Sequence, residues 1–169
     1  MRELYLLSVS AHVLAAIVWV GSNLVLAIAV VPYLRDPKLR EPVLLLLRGA
    51  GPRLSALGWG ALATLVTTGF FNLHVRGLLS LVALRSATHS AIGIASLVKL
   101  GGVALILGLN AMHAIVWGPA AADALERDPR GTAPETVRLR ALARVAGRSG
   151  TLISLLLVLA GVVIVRGWI

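Results

Sequence analysis

The stretch from Leu4 to Leu34, LYLLSVSAHVLAAIVWVGSNLVLAIAVVPYL, decides the fold. A helix rising about 1.5 Å per residue over this stretch is longer than the roughly 30 Å hydrocarbon layer of a bilayer. Within it, Ser8, His12, Trp19 and Asn23 recur at spacings of four, seven and four. Seven residues make almost two full turns, so the four side chains share one narrow face. Their surroundings are mainly Leu, Val, Ile and Ala. An ionisable imidazole and an amide are costly to leave in lipid, so this face is expected to point into protein and to meet partners or a ligand there.

Working outward, the whole chain has the same character. It is 169 residues long, 58% hydrophobic and 14% charged, with a mean hydropathy of +0.90. Those values exclude an ordinary soluble domain. Four stretches, at about 4–34, 54–75, 90–118 and 149–167, each supply the ~20 apolar residues that a crossing needs. Backbone groups in lipid must be paired within their own segment, so the spans are expected to be helices. The expectation is all-α: one transmembrane domain over residues 1–169, built as a four-helix bundle in the lipid bilayer. Ala27-Ile28-Ala29 resembles a signal-peptidase site, but the preceding apolar run is too long for a signal sequence, so it reads as a retained helix.

The formal net charge of +9 does not point to nucleic acid, because the basic residues lie between the spans and no nucleic-acid-binding motif accompanies them. Arg35, Lys38, Arg40, Arg48 and Arg53 fall in the first connection; Arg127, Arg130, Arg138, Arg140, Arg144 and Arg148 fall in the third. The second carries only Arg76 and Arg85. The positive-inside rule therefore expects the first and third connections in the cytoplasm, both termini outside, and residence in the cytoplasmic (inner) membrane. Four leucines between Pro42 and Arg53 read as an interfacial segment or as an extension of helix 2, which otherwise starts after Pro52 with Ser55 as a cap. The apolar residues between Arg76 and Thr88 suggest a short helix. Trp117-Gly118-Pro119 is expected to close helix 3, and Glu135 to Arg148 has helical composition.

With no cysteine in the chain, disulfides, thiolate metal sites and iron–sulfur clusters are excluded. His12, His74 and His89 are expected in the outer half of the membrane, and His113 at the cytoplasmic end. Two neutral imidazoles from different helices at similar depth suit the axial ligation of a b-type haem. His12 with His74 or His89 would supply them, Arg76 or Arg85 would meet the propionates, and Trp19 would serve as a wall. Alternatively, His12, His74 and His89 would hold a copper or other divalent ion, with Met112-His113 as an inner exit; methionine poverty, with Met1 and Met112 alone, weighs against Cu(I). Lys99 lies deep in helix 3, at a cost of roughly 3 kcal/mol. No Asp or Glu occurs within any span, which favours an anionic ligand as its partner. The plainest alternative is a structural subunit whose polar stripes are helix contacts.

His12-x6-Trp19-x-Gly21, then Pro32, Thr68-Gly69, Lys99-Leu100 and Gly118-Pro119 resemble the copper-resistance D (CopD-like) membrane superfamily over most of the chain. That resemblance implies copper uptake or, in the related HemJ-type protoporphyrinogen oxidases, four helices binding haem b. In that branch a first-helix His and a third-helix Lys matter, which would be His12 and Lys99. Tyr33 stands where HemJ-like chains carry Arg after the helix-1 Pro. The leading expectation is thus a haem-b-binding electron-transfer protein or oxidoreductase acting with a quinone or small redox substrate, the alternative copper transport. Further copies of the chain are an open option as partners, and no residue is assigned as catalytic.

Overall fold

The computed structural model of the protein describes residues 2–36, 38–89 and 91–166. The expected span limits at Ser90 and Gly167 lie outside them. The described residues are all-α, and four helices are long and apolar enough to cross a membrane: Arg2–Leu34, Arg40–Val75, Gly93–Arg127 and Pro134–Val162. Their burial is inverted relative to a soluble protein. Among the described residues the buried apolar side chains are Ala15, Trp19, Ala61, Leu62, Ile106, Ala124 and Ala146, while Leu14, Ile17, Leu45 and Val98 are exposed. Such continuous apolar exposure is tolerable against acyl chains and not against water.

The chain divides into two compact units, Met1–Ile94 and Ala95–Ile169. In the first, α1 (Arg2–Val25) widens into a π-helical turn (Leu26–Val30) and tightens into a 3₁₀ turn (Val31–Arg35); α2 (Arg40–Val75) returns antiparallel to it; and α3 (Leu81–Ser86) with a 3₁₀ turn (Ala87–His89) follows. In the second, α4 (Ala91–Met112, shared across the boundary) passes through another π-helical turn (His113–Trp117) into α5 (Gly118–Arg127), and α6 (Pro134–Arg166) returns. The two wide turns have one cause. Pro32 and Pro119 lack the N–H that would continue the helical ladder, and the strain is absorbed just upstream. In both places an i−5 bond results, Val31 N–H to Leu26 C=O and Gly118 N–H to His113 C=O.

Three boundary expectations change. Helix 3 does not stop at Gly118-Pro119, because a proline in the first turn of α5 gives up only a donor that the wide turn has already displaced. The second long helix starts at Arg40, so the leucines before Arg53 extend it and Pro52 sits inside it; Ser55 is interior, not a cap. The last helix starts at Pro134, with its basic first third continuous with the apolar remainder. Near ~1.5 Å per residue, α2 and α6 are both longer than the hydrocarbon layer, so their Arg-bearing N-terminal portions extend beyond it.

The second unit repeats the first. At an offset of 87, Gly21, Asn23, Ala27, Ile28 and Pro32 match Gly108, Asn110, Ala114, Ile115 and Pro119; after the turn the offset becomes 92, and Arg35-Asp36-Pro37, Gly58, Leu65 and Gly69 match Arg127-Asp128-Pro129, Gly150, Leu157 and Gly161. Structure follows sequence. Ile28 and Ile115 are 72% and 71% exposed, while Trp19 and Ile106 are buried, as are Leu62 and Ser154. Leu39 N–H bonds Asp36 C=O, and its counterpart Gly131 bonds Asp128 C=O.

Candidate functional site

His12 is placed by α1 and held by α2. Its Nδ1 is 2.8 Å from Thr68 Oγ1, and that hydroxyl is 2.5 Å from the carbonyl of Thr64. A threonine in an apolar helix bonds its own i−4 carbonyl because no water competes. The single hydroxyl proton of Thr68 is therefore committed to Thr64, and its oxygen accepts from His12. This assigns the proton of the neutral imidazole to Nδ1 and the lone pair to Nε2. Gly69 makes room: a methyl there would lie 3.4 Å from His12 Cε1.

Two turns along α1, Trp19 is buried against Gly58, where an added methyl would lie 3.3 Å from Cζ3. Asn23, the last member of the polar face, does not reach outward. Its amide donates to Trp19 C=O at 2.7 Å, and Ser22 bonds back to Val18 C=O. Nearer the start of α1, Arg76 Nε and Nη2 donate to Tyr5 Oη at 3.0 and 2.8 Å, with the guanidinium carbon 5.9 Å from the ring centroid.

The other sequence candidates are placed differently. His74 is exposed in the last turn of α2, six positions beyond Thr68, or about 9 Å along the helix. At ~100° per residue it also faces away from the side that Thr68 presents to His12. His89 is exposed at the end of its 3₁₀ turn, and Arg85 is exposed on α3. Among the described residues no group of three or more His, Asp or Glu is disposed to hold a metal ion.

In the second unit Lys99 is the counterpart of His12, and it uses the equivalent seat. A methyl on Gly161 would lie 3.1 Å from Lys99 Nζ. His113 sits in the wide turn, where its ring hydrogen-bonds the backbone of Ala143 on α6 and Nδ1 is buried without a partner; neighbouring Met112 is exposed. In the α5–α6 connection, outside the spans, the Ala133 N–H donates to Asp128 Oδ2 at 2.7 Å. That bond, with the backbone of Gly131 and Thr132 and the Thr136 hydroxyl, holds the carboxyl below its ordinary range.

Tyr5 and the roles of Thr68 and Asn72 escaped the sequence reading, although a signal existed. Thr64, Thr68, Asn72 and Arg76 are spaced by four, a polar stripe on α2 that faces the polar stripe of α1. No family model, no curated protein and no solved structure matches the chain.

Proposed function

We propose that this is a multi-pass membrane redox protein that binds a b-type haem through His12. The observation that supports it is the hydrogen bond from His12 Nδ1–H to Thr68. A second hydrogen bond on the far ring nitrogen fixes the tautomer and orientation of ligating histidines and raises their basicity. His12 fits an axial ligand on that ground. A bis-histidine pair with His74 does not fit, since His74 lies ~9 Å farther along α2 and is exposed. The haem, when bound, supplies one-electron chemistry. The protein's own residues do the rest: Thr68 orients the imidazole, buried Trp19 keeps the deeper side dry, and Arg76 offers a cation for a propionate. Both termini outside and the inner membrane remain part of this reading, carried by the arginines of the first and third connections.

Purified protein reconstituted with haem is expected to show a Soret band with one haem per chain. His12→Ala should abolish it while leaving helicity unchanged, and His74→Ala should leave it intact. No Soret band in the parent chain, or an unaltered one in His12→Ala, overturns the proposal. Copper binding in place of haem, measured on the same sample, selects the alternative expectation of metal transport.

A further inference from the structure

The first half of α6 is basic in a way that helix packing does not require. Arg138, Arg140, Arg144 and Arg148 lie within it, and no Asp or Glu follows Glu135 in the chain. Arg144 and Arg148 therefore have no acid within a turn on their own helix. On the facing strand of the unit, the ring of His113 bonds the backbone of Ala143, which sets the level of Arg144; Asp123 lies about 15 Å along the axis beyond His113. The internal repeat supplies a control. At the offset of 92, Arg144 and Arg148 match Pro52 and Ala56, while Arg53, the last arginine of α2, matches Val145. The equivalent helix of the first unit thus forms without the pair.

Depth follows from composition. Between Arg148 and Arg166, α6 carries no charged residue, a separation of about 27 Å at ~1.5 Å per residue, close to the roughly 30 Å hydrocarbon layer. Arg148 consequently stands at the edge of that layer and Arg144 about 6 Å farther out, within the headgroup region that adds about 5–7 Å on each side. Both arginines are exposed. Four and eight positions inward from Arg148, along the same i+4 ridge, Leu152 and Leu156 are exposed too. One ridge of α6 thus presents two guanidinium groups and then two aliphatic side chains, the order of charge and hydrocarbon along a phospholipid. Gly147, beside the arginines, is exposed, with nothing within 4 Å of the place a Cβ would take, so a phosphate can come against the helix.

We propose that the Arg144, Arg148, Leu152 and Leu156 ridge of α6 binds an anionic phospholipid, its phosphate held by the two guanidinium groups and an acyl chain lying along the leucines. Arginine suits phosphate because its planar fork donates two parallel charge-assisted N–H bonds. A zwitterionic headgroup brings its own ammonium group, which cancels part of the attraction, so the site selects a lipid of net negative charge. It uses the second unit alone and is independent of what His12 binds.

The cysteine-free chain makes the test direct. Leu159→Cys, next to the ridge on α6, and Leu14→Cys on α1, a control of similar exposure, are labelled with bimane in phosphatidylcholine nanodiscs containing a minor fraction of phosphatidylglycerol. Quenching is measured with bromine on the acyl chains of the phosphatidylglycerol, and again with the same fraction of brominated phosphatidylcholine. The ratio of the first to the second is expected to be at least threefold higher at residue 159 than at residue 14, and to fall to the residue-14 value when Arg144→Gln/Arg148→Gln is added. Equal ratios at the two residues, or a ratio at residue 159 unchanged by the double variant, overturn the proposal. Should the double variant fail to fold, the comparison of residues 159 and 14 with both arginines present decides.

Discussion

Replacing Thr68 with Val removes one oxygen and almost no volume, so it isolates the hydrogen bond that holds His12. Two quantities bound the effect. Side-chain hydrogen bonds between membrane helices average ~0.6 kcal/mol and reach about 1.7, while a buried donor left unpaired costs about 1–3 kcal/mol. The 2.8 Å contact and the closeness of Gly69 to the ring leave Nδ1–H few places to turn. A loss near 1 kcal/mol, about fivefold in the folding constant, is therefore expected. Thr67 is the internal control: its hydroxyl also bonds an i−4 carbonyl, that of Ala63, but the residue is exposed, so Thr67→Val should be close to neutral. The assay is reversible unfolding in mixed micelles across a cycle of Thr68→Val, His12→Leu and the double variant. Coupling near 1 kcal/mol is the expected result. A coupling below about 0.3 kcal/mol, where independent sites simply add, would refute the pairing and with it the assignment of the tautomer.

Further outcomes follow from the connections and the second unit. Gly131 has φ +68°, so Gly131→Ala should destabilise unit 2 by about 1–2 kcal/mol, the cost of left-handed backbone for an L-residue, read from the same unfolding curves. Asp128 is held below the ordinary carboxylate range chiefly by the Ala133 N–H; its contribution is complete above the unfolded value near 3.9 and is lost as pH falls through the lower native value. Hydrogen exchange at the Ala133 amide should therefore accelerate only in that acid range, and Asp128→Asn should remove the pH dependence. A methyl on Gly102 would lie 2.7 Å from Leu157 Cδ2, so Gly102→Ala should cost ~1 kcal/mol by overpacking. Leu157→Ala in the same chain should recover that increment in unfolding measurements, since the clash is with a side-chain end.

Where the first helix crosses, and that the described residues are all-α, followed from runs of apolar residues too long for anything but a span. The polar face of α1 was equally legible, because Ser8, His12 and Trp19 repeat with the helical period. Boundaries at prolines were less so. A proline is read locally as a stop, yet Pro52 and Pro119 are carried within continuous helical runs, since a wide turn or a single lost bond costs less than breaking off the helix. The internal repeat also escaped, because the five-residue change of offset between Pro119 and Arg127 breaks the match and most lipid-facing positions need only be apolar.

What the amino-acid order determined by itself is the solvent: long stretches without charge cannot be hydrated, so the chain must lie in a bilayer as helices. What only the tertiary structure decided is the pairing across helices. Periodicity puts His12 on a face but not opposite anything. The antiparallel register of α1 on α2 brings Thr68 to its Nδ1, leaves Ser8 and Asn72 as buried polar atoms between two bonded pairs, and turns His74 away. Contacts of that kind depend on where two separately stable helices meet, and no local pattern within either one encodes it.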